Sequence, residues 1–197
     1  TQTAREISLS VSEKSIGRRN LLAGSAFMRE DNHVEITDGV RIEMNSGYQG
    51  TNCIHSIDDT DGTPHYRGAF WDGSQGGKSI KITKGKKYVL SCYYKTNDTN
   101  GRIFLEALYT DEQTNAKRTG NGPTYLTQSN FIVTKLNQWE LFTTVIDTTN
   151  AGEKDNYLSF NFFEYSNGNV GRIDAYICRP MVEEGDTYNG WTLSQDD

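Results

Sequence analysis

Lys87-Tyr88-Val89-Leu90-Ser91-Cys92-Tyr93-Tyr94-Lys95-Thr96 is the run on which the fold turns. Side chains along a β-strand point to opposite faces in turn. Tyr88, Leu90, Cys92 and Tyr94 then share an apolar face, and Val89, Ser91, Tyr93 and Lys95 share the other. Three later runs divide in the same way. Ile103, Leu105, Ala107 and Tyr109 oppose Phe104, Glu106 and Leu108; Leu158, Phe160 and Phe162 oppose Ser159, Asn161, Phe163 and Tyr165. Ile173, Ala175 and Ile177 oppose Asp174, Tyr176 and Cys178. The apolar sets predict a core between two sheets. The mixed sets predict a solvent-facing sheet surface, and a single bulge would exchange the two assignments.

Working outward, NLLAGSAF (20–27) reads as an apolar first strand and VEITDGVRIEM (34–44) as a hairpin. Asp38-Gly39 there supplies the positive φ of a two-residue turn. GTNCIHSI, HYRGAFW, KSIKI, SNFIVTK and WELFTTVIDT add strands, set apart by clusters such as DDTDGTP, DGSQGG, NDTNG, TGNGP and SNGN. About ten strands at short intervals, with no convincing helix, predict an all-β sandwich or barrel. Residues 1–17 read as an arm or linker from a preceding module, and 18–197 as the domain.

Composition agrees with strands and narrows the function. Eleven Tyr and 19 Gly suit sheets and tight turns rather than helix bundles. A net charge of −6 opposes a nucleic-acid binder, which needs a basic stripe along the phosphates. No apolar run is long enough to span a membrane. Cys53, Cys92 and Cys178 form no CxxC and cannot all pair, so they read as buried reduced thiols.

Asn20-Leu21-Leu22 closing on Phe27, then Lys84-Gly85-Lys86-Lys87-Tyr88-Val89-Leu90-Ser91-Cys92-Tyr93-Tyr94-Lys95, then Trp139-Glu140-Leu141-Phe142, occur in an order that resembles jelly-roll carbohydrate-binding modules of galactose-binding-like type. The ending Arg179-Pro180-Met181-Val182-Glu183-Glu184-Gly185 with Trp191 resembles the close of such domains in bacteriophage or prophage tail and tail-fibre proteins. The resemblance implies a jelly-roll β-sandwich of two antiparallel sheets in a virion tail or extracellular setting. It implies host-surface glycan and other tail subunits or modules as partners. Many such modules hold a structural calcium, but Met28 follows Phe27 where an acid is expected. Glu30, Asp31 and Asp174 remain as out-of-register calcium candidates.

Sugar recognition sets aromatic planes against the C–H faces of pyranose rings and frames the hydroxyls with amides and carboxylates. The mixed strand faces offer Tyr93, Glu106, Asn161, Phe163 and Tyr165 for this, and the HYRGAFWDGSQGG stretch offers Tyr66, Trp71 and Gln75. The competing reading makes Trp71 a plug of the sandwich end and the domain a spacer without ligand. Catalysis has thinner grounds. Glu183 and Glu184 are adjacent, so on a strand they face opposite ways and cannot form a glycosidase pair. His33, His55 and His65 lack zinc spacing, and there is no nucleophile elbow or phosphate loop. In the closing run, Pro180 is expected at a strand edge or bulge, Met181 or Val182 buried, and Trp191 packed near the first strand as a lid on the core.

Overall fold

The computed structural model describes residues 19–28, 33–61, 65–117, 119, 125–166 and 170–194. The arm expected over 1–17 lies outside them, as do Glu30 and Asp31. The strands are β1 (Glu35–Ile36), β2 (Val40–Glu43), β3 (Cys53–Asp61), β4 (His65–Trp71), β5 (Ile80–Lys81), β6 (Lys87–Thr96), β7 (Arg102–Thr110), β8 (Tyr125–Ile132), β9 (Glu140–Asp147), β10 (Tyr157–Ser166) and β11 (Val170–Glu184). They form two antiparallel sheets. The first runs β1-β4-β10-β7-β8, with β5 also pairing β10, and the second runs β2-β3-β11-β6-β9. Successive strands β8, β9, β10 and β11 alternate between the sheets, so the connections wrap the sandwich as a jelly roll.

The alternation that decided the fold holds. Tyr88, Leu90, Cys92 and Tyr94 of β6 meet Ile103, Leu105, Ala107, Leu158, Phe160, Phe162, Ala175 and Ile177 in one core. The mixed faces, however, do not form one surface. Those of β7 and β10 cover the first sheet, whereas those of β6 and β11 cover the second.

Two expected elements differ. The 20–27 run is not a strand: only Asn20 bridges, to Ser194, and a turn follows at 23–26. The Asn20 carboxamide is the cause. Its oxygen accepts from Leu22 N at 3.1 Å, bending the chain locally, and Gly24 takes a φ of +79°. Leu22 and Phe27 still reach the core. The 34–44 run is not a hairpin either. β1 pairs with β4 and β2 with β3, so the Asp38-Gly39 turn, with Gly39 at φ +79°, carries the chain from one sheet to the other.

β11 behaves as the closing run predicts. Its register on β6 slips between Cys178 and Met181, placing Arg179 (φ +52°) and Pro180 in a bulge. Met181 and Val182 are both fully buried, and the chain turns at Gly185 (φ +141°). Glu183 is buried and accepts from Asn189 N at 3.0 Å, while Glu184 is exposed beside Lys86. Trp191 departs from expectation. It is half-buried and faces the Arg179 guanidinium, 5.1 Å from its ring centre, instead of capping the core.

Candidate functional site: a groove on the first sheet

Register decides which outward side chains meet. On the first sheet Phe70 (β4), Asn161 (β10), Glu106 (β7) and Gln128 (β8) stand side by side in one row across four strands. The next outward row is Gly68, Phe163, Phe104 and Asn130. The row beyond begins with Tyr66 and Tyr165. Gly68 has a steric reason to be glycine, since a Cβ there would lie 2.1 Å from Phe162 O and 2.6 Å from Phe163 Cβ. The missing side chain lets β4 and β10 close together.

These rows enclose a groove of about 380 Å³ lined by Thr37, Tyr66, Phe70, Gln75, Glu106, Gln128, Asn161 and Phe163. One wall is aromatic. Phe163 stacks on Phe104 at 5.0 Å and 3° and on Phe70 at 5.8 Å and 10°. Tyr66 tilts over Tyr165 at 4.8 Å and meets Phe163 edge-on at 5.7 Å. Tyr66 is 58% exposed, so its ring is the one a ligand can reach. The other wall is polar. Glu106 is 4% exposed; its carboxylate accepts a short hydrogen bond from Gln128 Nε2 and a long one, 3.5 Å, from Asn161 Nδ2. Asn161 is 2% exposed, and its Oδ1 has no partner.

Five of the eight residues put forward from sequence therefore line one groove: Tyr66, Gln75, Glu106, Asn161 and Phe163. Tyr165 lies next to it, against Tyr66. The other two are corrected. Trp71 is 1% exposed, packs edge-on against Phe162 in the core, and gives its Nε1–H to Ala23 O at 2.6 Å. It points inward because β4 alternates Ala69 and Trp71 against Tyr66, Gly68 and Phe70. Tyr93 lies on β6 in the opposite sheet, stacked on Tyr48 at 4.0 Å. Burial, together with the hydroxyls of Tyr188 and Tyr48, pushes its phenol up to about 12. Thr37, Phe70 and Gln128 complete the groove. Gln128 was hidden in YLTQSNFI, where only the β7–β8 register reveals that it stands opposite Glu106.

The second sheet's outer face is occupied by its own contacts. His55 (β3) stacks on Tyr176 (β11) at 4.0 Å, and the Lys95 ammonium sits 4.1 Å from the Tyr176 ring centre and 4.9 Å from that of Trp139. His55 Nδ1 lies 2.7 Å from Glu43 Oε1, and Nε2 lies 2.9 Å from Asp174 Oδ1. Asp174 is thus engaged with His55 and Arg172. Among the described residues no cluster of three or more His, Cys, Asp or Glu could hold a metal ion. The three thiols are free and buried. Burial raises all of them, Cys53 to about 12 and Cys178 to about 11, so none presents a thiolate nucleophile near neutral pH.

No protein-family model and no curated protein sequence matches the chain. Solved structures do. A carbohydrate-binding module, TmCBM61, solved with β-1,4-galactotriose superposes with a TM-score of 0.57 at 10% identity, covering 85% of this chain and 99% of the module. A family 16 carbohydrate-binding module gives 0.51 at 14% identity, over 83% and 99%. CBM28, a module specific for non-crystalline cellulose, gives 0.50 at 10% identity, over 85% and 97%. At these identities the likeness is one of fold. The chain shares the jelly-roll fold of these modules across nearly the whole length of each.

Proposed function

We propose that the domain is a non-catalytic glycan-binding module, and that the groove on the first sheet is its binding site. One observation carries this reading. The register sets an exposed Tyr66 ring and a wall of stacked Phe side chains beside buried Glu106 and Asn161 and an exposed Gln128, which is the pairing of apolar plane and hydroxyl-bonding group that a pyranose requires. Binding through so shallow a surface falls in the μM to mM range, about −8 to −4 kcal/mol. Repetition of the domain in an assembly supplies avidity. The closing run Arg179–Gly185 supports a place in a bacteriophage tail or baseplate, where the glycan is that of the host surface and the partners are other tail subunits. A hydrolase needs a second carboxyl facing the first across the cleft. Glu106 is the one carboxylate among the described residues lining the groove.

The test is a carbohydrate microarray probed with the domain and with Tyr66→Ala. The native domain is expected to register defined glycans, and the variant to lose them with its melting temperature unchanged, because Tyr66 is mostly exposed. A blank array for the native domain leaves the spacer reading standing. Release of reducing sugar from any glycan that binds overturns the non-catalytic reading.

A further inference from the structure

We infer that the groove continues into a subsite at Arg102, which takes the carboxylate of a uronic acid whose ring lies on Tyr66. The inference rests on the glycan-binding reading above and narrows its ligand class. Register completes the third outward row of the first sheet. Tyr66 pairs with Tyr165, Tyr165 with Arg102, and Arg102 with Ile132, across β4, β10, β7 and β8. The row is a saddle. Tyr66 and Ile132 stand at its ends, 58% and 53% exposed, and Tyr165 and Arg102 are half-buried between them.

Arg102 points to a ligand. Its Nε is buried without a hydrogen-bond partner. Among the described residues no hydrogen bond, ion pair or ring contact engages its guanidinium. Buried donors are nearly always paired, so this one marks the place of an acceptor. A guanidinium is a planar fork of N–H donors, and a carboxylate is the planar acceptor that matches it. The neighbouring rings suit the rest of the sugar. Tyr66 tilts over Tyr165 at 4.8 Å, and Phe104 meets Tyr165 edge-on at 6.0 Å. Neighbouring strands lie about 4.8 Å apart, so Arg102 stands about 10 Å from Tyr66, two strands away. A pyranose on Tyr66 turns its carboxyl-bearing rim across Tyr165 toward Arg102, and the long arginine side chain closes the gap. No acid stands in this row or in the next, Gly68, Phe163, Phe104 and Asn130. Glu106 lies a further row on, about 13 Å along β7. That exceeds the screening length of about 10 Å at 0.1 M salt. In the far row Asn161 Oδ1 is also buried without a partner, and Asn161 lines the groove. A ligand that meets both Asn161 and Arg102 spans more than one pyranose, so the class is an acidic oligosaccharide.

The experiment measures affinity for oligogalacturonides and oligoglucuronides, each beside its carboxyl-reduced neutral form, and for sulfated carrageenan oligosaccharides at the same ionic strength. Native protein, Arg102→Gln, Arg102→Lys and Tyr66→Ala are compared, with melting temperatures recorded for each. The native domain is expected to bind at least one acidic series about tenfold more tightly than its reduced form. Arg102→Gln is expected to bring the two forms to equal affinity without lowering the melting temperature, because the guanidinium has no bond to lose. Arg102→Lys is expected to restore only part of the gap, since an ammonium lacks the fork. Equal native affinity for acidic and reduced forms overturns the subsite; loss of that binding in Tyr66→Ala then keeps the glycan-binding reading. A gap that persists in folded Arg102→Gln also overturns the subsite. Carrageenan oligosaccharides bound as tightly as the uronides overturn the assignment to a carboxylate. Native binding to no probe overturns the subsite, and a microarray that still registers glycans keeps the reading beneath it.

Discussion

Tyr66 and Trp71 lie five positions apart on one strand, so alternation sends them to opposite faces, and they have opposite fates. In sequence both are aromatic residues in a Gly-rich stretch and equally good sugar platforms. Alternation within HYRGAFW separates them, yet it does not say which set faces out. Burial does, because Trp71 fills the space between Phe27 and Phe162. Trp71→Ala is therefore expected to destabilise the fold by about 3–5 kcal/mol, the range for emptying a buried aromatic site. Urea unfolding measures this. A folded variant of near-native stability would return Trp71 to the candidates for ligand contact. Tyr93 shows a different limit of sequence reading. Its parity on β6 was right, since it does point away from the core, but parity cannot say on which sheet a strand lies. That assignment depends on pairings with strands far away in the chain.

Elements set by local chemistry were legible, and those set by distant partners were not. β4, β6, β7, β9, β10 and β11 fall where alternation and turn residues put them, and the Arg179-Pro180 bulge falls where a residue without an N–H can be tolerated. The supposed hairpin at Asp38-Gly39 failed because the turn signal fixes a reversal without fixing which strand each arm pairs with. Among the groups that do tie distant elements, His55 joins β2, β3 and β11. Its Nδ1 lies against Glu43 and the Arg41 guanidinium, and its Nε2 against Asp174. Burial works to raise the Glu43 carboxyl, but the hydrogen bonds and charges of His55 and Arg41 outweigh it and hold it below its ordinary value. Asp174 is likewise held down, with hydrogen bonds from Arg172 and His55 outweighing burial. Carboxyls depressed in the folded state add stability above their unfolded pKa, about 4, and lose it as pH falls through the lower folded values. His55→Ala is expected to reduce stability at pH 7 and to flatten the loss as pH falls below about 4. Urea midpoints across that range check it; identical acid limbs in both proteins would remove His55 from the account.

At the scale of the molecule the two sheet surfaces have different work. The second is closed by stacked rings, ion pairs and the chain after Gly185; the first keeps a groove open. Holding that closed side depends on Asn20. Its Nδ2 lies 2.8 Å from Ser25 Oγ and 3.2 Å from both Pro180 O and Thr192 O, while its Oδ1 accepts from Val182 N at 3.2 Å. One buried carboxamide thus fastens the start of the domain to β11 and to the closing segment. Asn20→Ala strands several buried groups at once and is expected to cost about 2–4 kcal/mol, read by urea unfolding. A change under about 0.5 kcal/mol, the range of ordinary surface substitutions, would show that the fastening is incidental.

The Asn20–Ser194 bridge is parallel, so the incoming and outgoing chain run the same way where they touch. A tension drawn between the two ends therefore drags these segments past one another lengthwise. The bonds at Asn20, with Leu21 N to Val182 O at 2.8 Å, are loaded together and do not peel one by one. This knot of amides is where the fold resists such a pull.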